Sequence, residues 1–324
     1  MKDGFIKVAA ATPKIKVADP AYNTEEILKI VSDFKGKFNG AFNIREDGQC
    51  AGRQSSENIK IEPKTDAPGI NIIISPNTKD ETVYIPACVT KGDVNDVVYN
   101  DFFVGEGADV TIVAGCGVHT DDGHDARHNG VHRFFLEKNS NVLYKEKHIG
   151  TGNGTGAKRI DPVTDCTLGE NAILTMDTIQ LSGVDSTDRK TRGTLGKNAK
   201  LIIKERIMTS GKEYAKTDFV VTLEGENSGT DIVSRSVARD NSKQEYTSKI
   251  IGKNICTGHS ECDAILDGNG SVIAQPSLVA ENPDAALIHE AAIGKIAGEQ
   301  ILKLRTLGLT AEQAEEKIIS GFLK

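Results

Sequence analysis

A short turn-bearing segment recurs along the middle of the chain and constrains the fold more than any other feature. Each copy has an apolar residue, a polar turn that usually carries Gly or Asn, a small residue, and the start of a β-prone segment such as VTIVAG or LIIKERIM. Turns of this kind need residues that tolerate positive φ, which explains the recurring Gly and Asn. The clear copies begin at Val104, Leu136, Leu168 and Leu195, and looser copies begin at Leu223 and Leu266.

The spacing of these copies predicts the architecture. Successive copies start 32, 32, 27, 28 and 43 residues apart, which suits coils of two to three short strands that bury their apolar edges on one another. We therefore predict a mainly β fold, a right-handed β-helix of stacked parallel coils. A β-sandwich with similar turns is the alternative. The 32 glycines and the absence of Trp suit an architecture with many tight turns.

The two ends of the chain are predicted to contain helices. Residues 23–35 have the pattern of an amphipathic helix, with Ile27, Ile30, Val31 and Phe34 on one face. We predict three regions: an N-terminal segment at 1–78 that contains this helix, a β-helix core at 79–280, and a small C-terminal helical subdomain at 281–324.

Within the C-terminal region, the pattern predicts two helices. Asn282 and Pro283 are suited to the N-cap and first position of a helix that runs to about Thr306. Gly308 is placed to end it. Thr310 and Gln313 then have capping-box spacing for a last helix. Such a pair could cap the end of the β-helix or bind a partner, and we predict partner-binding residues in it. These are Leu304, Leu307, Ile318 and Phe322.

Charge and hydropathy exclude several classes of protein. A net charge of −7 argues against a general nucleic-acid binder. No stretch approaches the roughly 18 apolar residues of a membrane span, and the N-terminus has no apolar core of the kind that secretion signals carry. We therefore predict a cytoplasmic protein with neither nucleic-acid nor membrane partners. In a reducing compartment its six cysteines, which form no CxxC pair, are free thiols or metal ligands.

One stretch is dense in metal-ligand residue types. GCGVHTDDGHDARHNGVHRFF holds Cys116, His119, His124, His128 and His132. Imidazole and thiolate suit zinc or iron, although the spacings match no standard zinc module. The alternative is a polar loop whose histidines cap backbone groups. If the stretch binds metal, Cys116 and His119 are its predicted ligands.

A second set of ligand types lies near the C-terminus. Cys262 is followed 27 residues later by His289 and Glu290, which the pattern places in the first C-terminal helix. Thiolate, imidazole and carboxylate can hold iron or an iron–sulfur cluster. From the residues alone, a buried structural cysteine and a surface His-Glu pair are the simpler interpretations.

The C-terminal motif resembles a known family. ECDAILDG, the HEA segment, an Ile-x-x-x-Gln run, a Leu-x-x-x-Gly-Leu break and a closing Gly-Phe are similar to the signature of the SufB/SufD proteins. The resemblance extends upstream to about residue 80. The chain resembles the short stand-alone, SufB-like form, which implies a scaffold that builds iron–sulfur clusters. In this family the residues matching Cys262 and Glu290 are implicated in cluster assembly, with His289 beside them.

The resemblance also implies cofactors and partners. The cofactor is a transient iron–sulfur cluster, and the expected partners are a SufC-type ATPase, a second copy of the chain, a sulfur donor and apo iron–sulfur proteins. The chain contains no Gly-x-x-x-x-Gly-Lys-Ser/Thr motif, so we expect it to bind no nucleotide and to act as a scaffold, not an enzyme.

Three alternatives remain open at this point. A structural, SufD-like subunit without its own cluster is the nearest. A β-helix acyltransferase is suggested by LGKNAKLIIKERIMTSGK, but its six-residue period lasts only two or three units. A carbohydrate-active β-helix enzyme would be expected to have a secretion signal and exposed aromatic residues.

Overall fold

The chain folds as a β-solenoid of about eight turns. The computed structural model describes residues 20–32 and 40–324. In chain order, the elements are α1 (Pro20–Val31), β1 (Ala41–Glu46), β2 (Gln49–Gln54), β3 (Ile59–Pro63), β4 (Gly69–Ile74), β5 (Lys79–Val89), β6 (Val94–Val104), β7 (Asp109–His119), β8 (Ala126–Leu136), β9 (Asn141–Thr151), β10 (Lys158–Ile160), β11 (Val163–Leu168), β12 (Ile173–Gln180), β13 (Ser186–Leu195), β14 (Lys200–Thr209), β15 (Tyr214–Leu223), β16 (Ser228–Ala238), β17 (Lys243–Gly252), β18 (Cys256–Leu266), β19 (Ser271–Ala280), β20 (Ala285–Gly294), α2 (Gly298–Thr306) and α3 (Ala311–Phe322).

The strands form two sheets that enclose the core. Sheet A has the order β2-β1-β5-β7-β9-β12-β14-β16-β18-β20, and sheet B runs β19-β17-β15-β13-β10-β8-β6-β4-β3, with β11 beside β10 between β13 and β8. From β5 onward successive strands alternate between the sheets, except that β10 and β11 both lie in sheet B, and they pair in parallel with the strands of neighbouring coils. The predicted stacked β-helix is confirmed. The strands reach from Ala41 to Gly294 and so include residues on both sides of 79–280.

The recurring segments are the corners where the chain passes from sheet B to sheet A. Asn139, Asn171 and Asn198 occupy equivalent corner positions with φ of 57°, 58° and 56°. Their side-chain amides form a ladder, since Asn171 donates to Asn139 and Asn198 donates to Asn171, each at 2.9 Å. The copy predicted at Leu266 instead leads from sheet A to sheet B, because β18 ends there and β19 follows.

The interior is lined by alternate residues of each strand. Phe102 stacks on Phe134 with ring centroids 4.4 Å apart, and Phe134 meets Tyr144 edge to face. A large apolar cluster continues from this end through Leu201 to Ile250. A separate row of polar residues shares the interior, and it contains most of the groups considered below.

The predicted helix from Asn282 to Thr306 is wrong over most of its length. Residues 285–294 form β20, and α2 begins only at Gly298. Asn282 does form a polar cap, but its Oδ1 accepts from the Asp284 amide in a turn that enters a strand. The segment is one more corner and strand of the solenoid. The capping box of Thr310 and Gln313 is confirmed at the start of α3.

Helix α1 lies against the solenoid's outer surface. Ile27 and Val31 of α1 are fully buried and pack against Cys88. Gly117 lies directly beneath α1, because a Cβ there would be 2.1 Å from a methyl group of Ile27. Helix α1 ends at Val31, and Phe34, predicted to continue its apolar face, lies outside the described residues. None of the helices in the described residues is long and apolar enough to cross a lipid bilayer.

Candidate functional site

Cys262 lies inside the last coils of the solenoid. It is on β18, 1% exposed, and its register partners in sheet A are Ser234 on β16 and Ala291 on β20. β20 ends its sheet, and β19 ends the other sheet. The thiol is therefore one strand away from the C-terminal end of the solenoid and faces its interior.

His289 faces the same interior as Cys262. It lies on β20 opposite Ser260, which is two residues before Cys262 on β18. Its Nδ1 is 3.0 Å from the backbone oxygen of Ser260. The Ser260 hydroxyl is in turn 2.9 Å from the Tyr246 hydroxyl and 2.8 Å from that of Ser248. The thiol and the imidazole thus face the same interior from neighbouring strands, two residue positions apart in the register.

Glu290 lies on the opposite face of the same strand. Its register partner is Glu261, and both point outward, since successive residues of a strand alternate between faces. The prediction that Glu290 projects from a helix is wrong, because residues 285–294 are extended. Within one chain, the structure therefore brings Cys262 together with His289 and separates Cys262 from Glu290.

Ionisation at this end is controlled by burial and by neighbouring carboxylates. Burial, with a smaller contribution from the Glu205 carboxylate, raises the pKa of Cys262 to about 12. Outside, burial and the neighbouring Asp263 raise the pKa of Glu261. The Cys262 thiol is thus protonated at neutral pH in the closed chain, and it needs either opening or a bound metal to become a thiolate.

The histidine-rich stretch does not converge on one point. His119 at the end of β7 contacts Thr151 at 2.9 Å and Asp121 at 2.8 Å. His124 is exposed and pairs with Asp93. Each of these histidines has its own local partner.

The two histidines of β8 are buried, and they also have separate partners. Nδ1 of His128 is 3.0 Å from a carboxylate oxygen of Asp96, which Arg45 also contacts. His132 contacts Tyr144. The histidine-rich stretch therefore supplies several structural hydrogen bonds.

Cys116 has different neighbours from those that the sequence indicated. In the described residues, one group of three ligand types converges: Cys116, Glu146 and His148, with one ligand atom from each lying within 4.8 Å of the others. Cys116 on β7 and His148 on β9 are register partners. The two predicted metal ligands, Cys116 and His119, both lie on β7, but His119 is not part of this group.

A continuous line of buried hydrogen bonds runs through Glu146. The Asn100 amide is 3.3 Å from Nε2 of His132, whose Nδ1 is 2.7 Å from the Tyr144 hydroxyl, and that hydroxyl donates to Oε1 of Glu146 at 2.8 Å. The Arg189 guanidinium donates to Oε2 of Glu146 at 2.8 Å.

The same guanidinium extends the line toward the C-terminal end. Nε of Arg189 lies 3.5 Å from Oε1 of Glu205. Glu205 also accepts from Thr217 at 3.0 Å and from Ser234 at 2.8 Å. Ser234 is the register partner of Cys262, so one buried polar row connects both candidate cysteine environments.

Burial and pairing set the charges in this row. Burial raises the pKa of the Cys116 thiol well above its ordinary value. It would also raise the pKa of Glu146, but His148 and Arg189 outweigh it and hold that pKa well below the ordinary value. Burial lowers the pKa of His148. The row therefore contains a carboxylate and a guanidinium as a paired charge, and burial disfavours the charged form of the His148 imidazole beside them.

Sequence reasoning missed Glu146 and His148, although a signal was present. In NVLYKEKHIGT, every second residue from Val142 to His148 faces inward, and the series passes from apolar to Tyr144, Glu146 and His148. The two-residue period of a β-strand therefore predicts that all of these residues face the interior. The pairing with Cys116 depends on the register between strands 32 residues apart, which no local pattern encodes.

The predicted partner-binding residues lie on and between the last two helices. Leu307, between α2 and α3, is 79% exposed. Leu304 is half-buried on α2, while Ile318 and Phe322 of α3 line a cleft of about 620 Å³ whose other wall is formed by residues 291–296 and 263–265.

Comparisons with known proteins agree with this architecture. Residues 94–322 match the family described as the SufBD core domain of the SUF system for FeS cluster assembly. The chain is 29% identical over 248 residues to an iron–sulfur cluster assembly SufBD family protein of Methanothermobacter thermautotrophicus strain Delta H, covering 75% of this chain and 59% of that protein. It is 28% identical over 275 residues to such a protein of Archaeoglobus fulgidus, covering 84% and 72%.

A third relative is matched over most of its length. The chain is 26% identical over 275 residues to a SufBD family protein of Methanocaldococcus jannaschii, covering 83% of this chain and 86% of that protein. By contrast, the match spans about three-fifths of the Methanothermobacter proteins. The family match covers well over half of the chain. The chain therefore belongs to the SufBD family of iron–sulfur cluster assembly proteins.

Proposed function

We propose that the chain is a cytoplasmic scaffold on which iron–sulfur clusters are assembled, with Cys262 and His289 as the interior ligands. The observation that carries the proposal is their position: both face the interior at the last two strands of sheet A. Thiolate and imidazole are established ligands of iron in such clusters. Family membership supports a role in assembly.

Glu290 is proposed to contribute from the outer face. β20 is the last strand of its sheet, so a second copy of the chain can approach both its edge and its outward carboxylates. We propose a homodimer joined at the β19 and β20 ends, in which Glu290 of one copy comes near the cluster site of the other. Exposed strand edges of this kind readily pair with another chain.

Assembly then requires the closed end to open. Cys262 is buried, and burial holds its thiol protonated. We propose that a SufC-type ATPase, bound at Leu304, Leu307, Ile318 and Phe322, supplies the strain that separates the end strands. Iron and sulfide would enter, the thiol would bind iron as a thiolate and release its proton to solvent, and the cluster would leave to apo iron–sulfur proteins. A sulfur donor completes the set of partners.

Anaerobic reconstitution tests the cluster site. The wild-type chain and Cys262→Ala are incubated with ferrous iron and sulfide together with the ATPase, and bound iron, bound sulfide and visible absorbance are measured. We expect Cys262→Ala and His289→Ala to retain less than a tenth of the cluster. Cys166→Ala is the matched control, because Cys166 is equally buried but lies on β11, far along the solenoid.

Two results would reject this assignment. Equal iron and sulfide uptake by Cys262→Ala and the wild type would remove Cys262 from the site. Absence of any iron-dependent absorbance in the wild-type complex would favour the structural, SufD-like subunit.

Docking of the ATPase has its own test. Leu307→Asp places a charge at the large apolar side chain that is most exposed among the described residues, and we expect it to reduce co-purification of the ATPase at least tenfold. Phe103→Asp, at a 40% exposed residue on the outer face of sheet B, is the control. Undiminished co-purification with Leu307→Asp would contradict helical docking.

A further inference from the structure

The interior of β7 and β9 contains three metal-ligand types that lie outside the proposed cluster site. Cys116, Glu146 and His148 are 4%, 1% and 4% exposed. Cys116 and His148 are opposite one another on adjacent strands, and Glu146 is two residues before His148 on the same face. Their ligand atoms lie within 4.8 Å of one another. The sheet register, not a flexible loop, holds them together.

The imidazole of His148 has an unused ligand atom. Its Nε2 is buried and has no hydrogen-bond partner, although it lies 3.3 Å from Oε1 of Glu146. Buried polar atoms are almost always paired, so a vacant one needs a specific explanation. An imidazole nitrogen without a partner, beside a carboxylate and a thiol, is the arrangement expected of a metal ligand set.

We propose that Cys116, Glu146 and His148 bind one divalent transition-metal ion of the zinc or ferrous class inside the solenoid. An ion placed centrally among three atoms within 4.8 Å of one another is at most about 2.8 Å from each of them. Zinc bonds to sulfur, nitrogen and oxygen are ~2.0–2.3 Å long. Side-chain shifts of less than about 1 Å therefore complete the site.

The surrounding charges balance such an ion. The Glu146 carboxylate and a Cys116 thiolate supply two negative charges for the divalent cation. Arg189, which now pairs with Oε2 of Glu146, also lies 3.5 Å from Glu205, and the Glu205 carboxylate neutralises it. Buried charges are tolerated when they are matched in this way.

The polar neighbours orient the ligands. Tyr144 donates to Oε1 of Glu146 and fixes that carboxylate. With the ion on Nε2, the ring proton of His148 resides on Nδ1. In the present structure the Arg189 guanidinium lies 3.2 Å from Nδ1 of His148. A proton on Nδ1 would remove this contact, because both groups would then be donors. The carboxylates of Glu146 and Glu205 would still hold Arg189. The alternative is an ion-pair cluster that only stabilises the interior, and the experiment separates the two.

Cobalt(II) is the probe for the test. The full chain carrying Cys262→Ala is freed of metal with a chelator and titrated anaerobically with Co²⁺, so that the result is independent of the cluster site. We expect one equivalent of Co²⁺ per chain and a thiolate-to-cobalt charge-transfer band. Zn²⁺ should displace the cobalt, and Fe²⁺ should displace it only in excess, following the usual order of affinities.

Two further variants assign the ligands. Adding Cys116→Ala should abolish the charge-transfer band, and adding His148→Gln should weaken Co²⁺ binding at least tenfold. Adding Cys166→Ala, at another buried cysteine of the core, should leave the band unchanged. A band of full intensity in the Cys116→Ala chain would overturn the proposal.

Thermal unfolding provides a readout that does not depend on the cobalt absorption band. An ion that binds only the folded chain raises its midpoint of unfolding. We expect saturating Zn²⁺ to raise the midpoint of the metal-free Cys262→Ala chain and to leave that of the chain with the added Cys116→Ala unchanged. No Co²⁺ band and no Zn²⁺-dependent rise in the Cys262→Ala chain would show that the three residues form an ion-pair cluster only.

Discussion

The buried pair of Arg189 and Glu146 concentrates charge within the polar row of the solenoid interior. Both side chains are at most 4% exposed, and each has further partners, Glu205 for the arginine and Tyr144 for the glutamate. Desolvating two such charges is costly and is offset only while every partner is present. Loss of one member should therefore cost more than loss of a surface ion pair.

Replacing the arginine tests this cost. Arg189→Met leaves the Glu146 carboxylate without its counter-ion, and we expect the free energy of unfolding to fall by about 3–5 kcal/mol. Arg192→Met, three residues on, removes a partly exposed partner of Asp218 and should cost no more than about 1 kcal/mol. Urea unfolding of both variants measures the difference, and equal losses would contradict the role given to Arg189.

The neighbouring His132 makes stability depend on pH. Burial lowers its pKa to about 4 from an ordinary value of 6.5. Between these values the unfolded chain binds a proton that the folded chain does not, so the free energy of unfolding falls as the pH drops through this window. Above pH 6.5 this group does not affect the free energy of unfolding, and the loss approaches on the order of 3 kcal/mol below about pH 4. In urea unfolding at pH 7 and 4.5, His132→Gln should lose less stability than the wild type, and identical losses would show that His132 is not responsible.

At the scale of single elements, the sequence predicts those features that depend on the backbone conformation of one or two residues. The solenoid corners were found because left-handed positions such as Asn171 and Asn198 select Asn or Gly. β20 was missed because AALIHEAAIG has the apolar spacing of a helix as well as of a strand, and neighbouring strands decide between them. Cys116 and Cys262 were recognised as single residues, whereas Glu146 joins Cys116 only through the register of β7 with β9.

The close approach between the end of β9 and the turn after β12 can be tested with one methyl group. A Cβ at Gly150 would lie 1.6 Å from the backbone oxygen of Gly183, so Gly150→Ala must shift backbone and should lower the free energy of unfolding by about 1–3 kcal/mol. Gly298, at the start of α2, has nothing within 4 Å of its Cβ position. Gly298→Ala should therefore be neutral or stabilising, by up to about 1 kcal/mol. Thermal unfolding compares the two, and an unaffected Gly150→Ala would contradict the close contact.

At the scale of the whole molecule, the two ends of the solenoid differ. Helix α1 covers the outer face of β5 and β7 near the first coils. At the other end β19 and β20 terminate their sheets and expose Ile273 and Ile288, at 53% and 56%. Since long apolar edge strands favour pairing with another chain, the C-terminal end is the one expected to meet a second copy.

The state of association tests this asymmetry. Ile288→Lys places a charge on the terminal strand, and we expect size-exclusion chromatography with light scattering to give the mass of one chain for this variant and of two for the wild type. Phe103→Lys, at an exposed position on the outer face of sheet B near the opposite end, should remain dimeric. A dimeric Ile288→Lys would place the contact elsewhere.

The parallel pairing of strands in sheet A fixes the distance between the two candidate cysteines. Sheet A separates Cys116 on β7 from Cys262 on β18 by five strand steps, or about 24 Å at ~4.8 Å per step. Because neighbouring strands of the sheet pair in parallel register, an inserted or deleted coil would change that separation by whole multiples of one step. The number of coils therefore sets the distance between the two cysteines in discrete steps. A sequence that gains or loses one coil can change this distance by one step while both ends of the solenoid keep their structure.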